Sequence, residues 1–187
     1  GAVKMSLDRA TSIAEVSMTA GETVSDLLVQ VREKVVAAMD PSLDASSRSA
    51  LNSDYKALLR QITQVTGAAS FDGANVLNGS LPTGIRFLAN AEANAYVTLS
   101  TKNMSLGGSI VTLASGSSIN TVTNATAIMT AITNSLANVN AALGDIGAQA
   151  KQIEAHNTFV AKLTDVLEVG VSNLVDADLA KESAKLQ

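Results

Sequence analysis

From Ile132 onward one pattern dominates the chain: Leu136, Val139, Leu143, Ile146, Ala150, Ile153, Asn157, Val160, Thr164, Leu167, Val171 and Leu174 follow one another in alternating steps of 3 and 4 for more than five heptads. That spacing is the signature of a coiled-coil-like helical stripe. A helix of this length cannot bury its stripe against itself, so it requires other helices alongside. At 1.5 Å per residue it makes a rod of roughly 70 to 90 Å, and the molecule is expected to be elongated. Asn157 and Thr164 place polar groups in the seam, where such residues fix register. Gly144, Gly147 and Gly170 weaken a helix interior, so a bend or break is expected near Gly144 to Gly147.

The partners lie upstream. Ile13, Val16, Ala20, Val24, Leu27, Val31, Val35 and Ala38 advance at a mean step of about 3.6, which predicts a first helix that Asp40-Pro41 stops. After a short loop, with Asp44 and Ser46 as candidate N-caps, Leu51, Tyr55, Leu58, Ile62, Val65 and Ala69 step 4, 3, 4, 3, 4 and predict a second helix. Between Gly67 and about Ser118 the helical period disappears. Glycines punctuate short pieces there, Asn78-Gly79 is a tight-turn dipeptide, and Tyr96-Val97-Thr98-Leu99-Ser100 and Ser109-Ile110-Val111-Thr112-Leu113 are rich in β-branched residues, so two to four strands are expected. The predicted fold is mainly α: an elongated bundle of two N-terminal helices and one long C-terminal helix, with a small β-hairpin region between. Residues 1–78 form the N-terminal half of the rod, 79–120 the hairpin and loop region, and 121–187 the C-terminal helix.

Composition removes several function classes. Aromatic residues make up 3% of the 187, so a ring-packed β-sandwich is not expected. There is no Cys, which excludes a disulfide framework and a thiol nucleophile. The net charge of −4 carries no electrostatic footprint for nucleic acid. Mean hydropathy is +0.23, yet no window approaches the roughly 18 apolar residues of a membrane span, so no membrane insertion is expected. The start Gly1-Ala2-Val3-Lys4-Met5-Ser6 has no apolar h-region, and no cleaved signal peptide is expected on this chain.

No catalytic constellation is legible. His156 is the one histidine. It reads as a helix-surface or seam-edge imidazole rather than a general base toward Ser172 or Asp165, because no nucleophile elbow or oxyanion loop accompanies it. Asp176 and Asp178, two apart on a helix, diverge and do not converge on a cation. Asp72-Gly73-Ala74-Asn75 lacks the spaced oxygens of an EF-hand loop and reads as a turn. No phosphate-binding glycine loop exists. The chain is therefore expected to be an assembly protein with no enzymatic activity, cofactor or metal.

Specific residues now carry a resemblance. The helix from Leu27 to Ala38, Leu51-Asn52-Ser53-Asp54-Tyr55-Lys56-Ala57-Leu58, and Phe71-Asp72-Gly73-Ala74-Asn75-Val76-Leu77 resemble the N-terminal conserved half of bacterial flagellin, in particular the alphaproteobacterial type. That family's Phe-Asn-Gly-x-x-Leu-Leu element closes the second helix. Ile146-Gly147-Ala148 and Leu174-Val175-Asp176-Ala177-Asp178-Leu179-Ala180-Lys181-Glu182 resemble its C-terminal half. The family-motif structural residues here are Arg32, Phe71, Gly73, Leu77, Gly147, Asp176 and Asp178. The resemblance implies a structural subunit of the flagellar filament, self-assembling for motility. It implies an extracellular location reached through the flagellar secretion apparatus, and as partners other flagellin subunits, an export chaperone and cap proteins. The chain resembles a truncated core lacking both terminal helices of the family, and is expected to be a monomer as it stands.

The resemblance also speaks to the animal Toll-like receptor for flagellin. The family's Arg, Leu and Glu contacts fall here on Gln30, Lys34 and Asp54, so an apolar anchor has become a charge, and weak or absent receptor binding is expected. The alternatives are a hook–filament junction protein of the same architecture and a cell-surface glycan-binding module. For the latter only Tyr96 and Phe87 offer rings for stacking. The Ser and Thr residues from Thr98 to Thr126 are candidates for O-glycosylation.

Overall fold

The computed structural model describes residues 1–186 and contains three helices and one hairpin: α1 (Ala2–Ala38), α2 (Ala45–Ala68), β1 (Ile85–Leu88), β2 (Tyr96–Leu99) and α3 (Val122–Leu186). α1 begins well before the predicted Ile13, because Leu7 and Ala10 continue its buried stripe. It ends where predicted, at Asp40-Pro41. There the Arg48 guanidinium donates to Ala38 O at 2.6 Å and to Asp40 O at 2.7 Å, which satisfies carbonyls the helix leaves open. Asp44 is the N-cap of α2, its carboxylate accepting from Ser47 N–H at 2.7 Å, whereas Ser46 lies inside the first turn.

α2 runs back along α1, and α3 packs along α1 on another side. The core is continuous and almost entirely aliphatic, with Leu28, Val31, Ile62, Val139 and Ile146 all fully buried, and Tyr55 is fully buried in it too. Tyr55 hydroxyl shares a hydrogen bond of 2.6 Å with Ser117 Oγ, which satisfies the polar end of a buried ring. α3 packs directly on Gly21 of α1, where an added Cβ would stand 2.6 Å from Leu143 Cδ2.

α3 departs from the sequence expectation in one respect. It is a single uninterrupted helix of 65 residues, about 95 Å long, passing through Gly144 and Gly147 without a break. At Gly147 the Met18 Cε lies 3.8 Å from where a Cβ would be, while Gly144 faces open space.

The connection between α2 and α3 holds one antiparallel pair, in the register Ile85↔Leu99, Arg86↔Thr98, Phe87↔Val97 and Leu88↔Tyr96. Phe87, Val97 and Leu99 face the core. The predicted strand at Tyr96 is therefore present, but residues 109–113 are irregular. Two of their backbone groups are taken by α3 side chains, Thr112 N–H donating to Ser135 Oγ at 3.0 Å and Asn138 Nδ2 donating to Ile110 O at 3.1 Å, while Val111 O accepts from Gly107 N–H at 3.0 Å within the loop. Val111 and Leu113 are still buried, which is what their β-branched and apolar character reported.

Candidate functional site

The tight turn after α2 holds three of the residues singled out by the resemblance, Phe71, Gly73 and Leu77. Phe71 and Ala74 exchange two backbone hydrogen bonds of 3.0 Å across Asp72 and Gly73, whose φ values of 52° and 78° form a left-handed two-residue turn. Arg9 Nε holds Asp72 Oδ2 at 2.9 Å and ties the turn to α1. Leu77 is fully buried and Phe71 is 39% exposed. Asn75, unnoticed as a structural residue in the sequence, is the keystone. It is buried, its Nδ2 donates to Thr66 O at 2.8 Å, and its Oδ1 accepts from Leu77 N–H at 2.8 Å and Asn78 N–H at 3.0 Å. One side chain thus closes α2 and starts the next segment.

Gln30 and Lys34, one turn apart on α1, share a face, and Asp54 lies across from Lys34 on α2. Lys34 Nζ and Asp54 Oδ2 are 3.2 Å apart, and Gln30 and Arg32 are exposed. The structure thus brings Lys34 and Asp54 together, with Gln30 one turn away on α1. Asp176 and Asp178 sit far away, exposed near the end of α3.

His156 is half-buried and its Nε2 is 2.7 Å from Ala89 O, so it anchors the hairpin end to α3. Its ring lies 6.0 Å from Phe159. Asp165 is nine residues further along the same helix, about 13 Å of rise, and Ser172 further still, so neither meets the imidazole. Phe87 is buried and leaves Tyr96 as the only ring on the outer hairpin face, where the Arg86 guanidinium already stands 4.3 Å over it. Among the described residues no group of three or more His, Asp or Glu side chains converges to hold a metal ion.

The conspicuous surface is the end of α3. Every described residue from Lys162 to Leu186 is exposed. With about 100° per residue, Leu163, Leu167 and Leu174 lie on one side, Val166 and Val169 on a second, and Val175 and Leu179 on a third. Leu174 is 69% exposed and Val166 is 66%. Charged residues such as Lys162, Glu168 and Lys181 share these sides, but large apolar side chains exposed in three directions on one helix mark a contact surface. The heptad reading located one of these sides; the signal for the others was the set of apolar residues off the seam. At the root of this overhang, Val3, Ala89, Ala95, His156, Phe159 and Leu163 border a cleft of about 420 Å³. There Lys4, Asp8 and Asn157 also join α1 to α3, with Asp8 Oδ1 accepting from Lys4 at 3.0 Å and from Asn157 at 2.9 Å.

These features define an elongated helical-bundle subunit with an uncovered apolar helix end. Residues 2–81 match the bacterial flagellin N-terminal helical region and residues 129–187 the bacterial flagellin C-terminal helical region. The chain belongs to the bacterial flagellin family. It is 57% identical over 168 residues to flagellin FljJ of Caulobacter vibrioides, covering 90% of this chain and 61% of that protein. To flagellin FljM of the same organism it is 42% identical, covering 100% of this chain and 67% of that one. Thus it spans about two thirds or less of the length of these relatives. Its fold is also similar to a Bacillus cereus flagellin crystal structure, with a TM-score of 0.72 at 17% identity, over 83% of this chain and 88% of that one.

Proposed function

We infer that this chain is the rod core of a flagellar filament subunit and acts by self-assembly rather than by chemistry. The observation that carries the reading is the overhang of α3, which exposes large apolar side chains on three sides and is covered by no described residue of the chain. Burying such a helix requires neighbours on more than one side, which a filament lattice supplies. The similar proteins named above are flagellins, which favours a filament subunit over a junction protein of the same architecture. Burial of Phe87 weighs against a glycan-binding module.

The finer parts of this reading are that 1–78, 79–120 and 121–187 act as rod half, outer hairpin region and rod helix, and that the subunit travels through the flagellar secretion apparatus to an extracellular location. An export chaperone and cap proteins are its partners on the way. Alone, this chain is a monomer, and Toll-like receptor binding is weak or absent. Small-angle scattering with light scattering tests the core of the proposal. A monomeric rod near 19.1 kDa, forming filaments once flanking terminal helices are restored, is the expected result. A restored chain that stays monomeric under filament-forming conditions would overturn it.

A further inference from the structure

The segment after the Asn75 keystone carries a chemical arrangement unrelated to assembly. Asn78 precedes Gly79, which has φ +78° and whose missing Cβ leaves room for the Asn103 amide, with Nδ2 2.7 Å from where a Cβ would be. Asn78 Oδ1 accepts from Ser80 N–H at 2.9 Å, so the side-chain carbonyl is folded back over the Gly79 peptide and polarised. On the other side Ser105 Oγ donates to Asn78 O at 3.0 Å, the carbonyl of the peptide whose nitrogen belongs to Gly79. Neither Gly79 N–H nor Asn78 Nδ2 donates to any protein group among the described residues. Gly79 and Ser80 are exposed to water.

We propose that Asn78-Gly79 is a built self-modification site, in which the fold promotes deamidation of Asn78 through a succinimide. Gly79 N–H loses its proton to solvent hydroxide. The nitrogen attacks Asn78 Cγ, a C–N bond forms, and the bond from Cγ to Nδ2 breaks as ammonia leaves with a proton from water. Water then opens the ring at either carbonyl and leaves an aspartyl or an isoaspartyl residue in place of Asn78. The two flanking hydrogen bonds act on this reaction directly. Ser105 withdraws charge from the peptide carbonyl and favours the amide anion, and Ser80 N–H stabilises the oxyanion that develops on Oδ1.

The product matters because of where it forms. Lys102 N–H donates to Val76 O and Met104 N–H to Leu77 O, both at 2.8 Å, so this segment seams the outer region to the rod. An isoaspartyl linkage adds a methylene to the backbone at Asn78 and puts the bond from Ser105 out of register, next to a new negative charge.

The test is peptide mapping by mass spectrometry of the folded chain during incubation at mildly alkaline pH, beside the same chain unfolded in urea. Asn52-Ser53 and Asn134-Ser135 serve as internal references, since their following amides are engaged in α2 and α3. Asn78 should convert first in the folded chain. Ser105→Ala should slow it several-fold when folded and leave the unfolded rate unchanged. Ser80→Pro, which removes the donor to Oδ1, gives the same readout from the other side should Ser105→Ala fail to fold. Equal folded rates for the variant and the parent, or conversion in urea with Asn78 intact in the folded chain, would overturn the proposal.

Discussion

Lys34 Nζ on α1 and Asp54 Oδ2 on α2 stand 3.2 Å apart, a cross-helix ion pair at two of the three positions proposed above to match the receptor contact. The pair is exposed, so it contributes little to stability. In the proposed reading its effect is on recognition: the carboxylate is already engaged within the chain, and receptor docking would have to desolvate a lysine in place of an apolar anchor. Lys34→Leu combined with Gln30→Arg should raise affinity for the receptor ectodomain at least tenfold in a full-length version, read by titration. Unchanged affinity would place the defect elsewhere.

Replacing Asn75 by alanine leaves the Leu77 and Asn78 N–H groups without their partner and Thr66 O with only the 3.4 Å bond from Ala69 N–H. A loss of about 2 to 3 kcal/mol is expected in urea unfolding, where an exposed Asn→Ala change costs almost nothing.

Tyr55→Phe should cost about 1 kcal/mol at neutral pH, since it removes only the bond to Ser117. Burial raises the Tyr55 hydroxyl above its ordinary 10.0, an effect the Ser117 bond opposes. The folded state thus holds this proton more tightly than the unfolded chain. The contribution is complete below pH 10.0 and is lost as pH rises through the higher folded value. Alkaline unfolding monitored by circular dichroism should weaken in its pH dependence in the Phe variant.

Three carboxylates act at the opposite end of the scale. The Asn157 amide, then Lys4, hold Asp8 below its ordinary 3.8; Ser42 N–H does so for Asp40, and Ser47 N–H for Asp44. Depressed folded values mean stability that is present above 3.8 and disappears as pH falls through the lower folded values. Unfolding free energy should be flat well above 3.8 and decline below it. Asp44→Asn keeps the cap without the titration and should make that decline shallower.

A variant ending at Ala161 should unfold at the same temperature as the parent and lose only helical signal, because no described residue beyond it is buried within the chain. A large drop in the midpoint would show that the overhang packs on the rod.

Much of this fold is legible because helical burial leaves a periodic trace. Spacing alone marks Leu58, Ile62, Val139 and Ile146, and all lie in the core. Gly144 misleads: its helix penalty is a fraction of what a long continuous backbone ladder and the packing around Ile146 supply, so no break results. Residues 109–113 mislead differently. β-branched character reports burial, and whether a strand or α3 side chains such as Ser135 and Asn138 take the backbone groups depends on contacts distant in sequence. Asn75 is invisible as a keystone because its four partners come from two segments that only the turn at Asp72-Gly73 brings together.

The overhang of α3 has an energetic meaning beyond the surface it offers. One hydrogen-bonded helix runs from a packed interior into water, so its residues do not share one stability. Near Val139 opening the backbone requires disrupting the whole bundle, whereas near Leu179 it exposes no core at all, and amide hydrogen exchange should rise steeply between the two. In the proposed filament the distal turns, which open at little cost in the free chain, are held closed by docking, and the entropy given up there is subtracted from each contact. A lattice built this way binds each subunit less tightly than its buried area suggests, and makes the ends of the polymer the places where it is most easily dismantled.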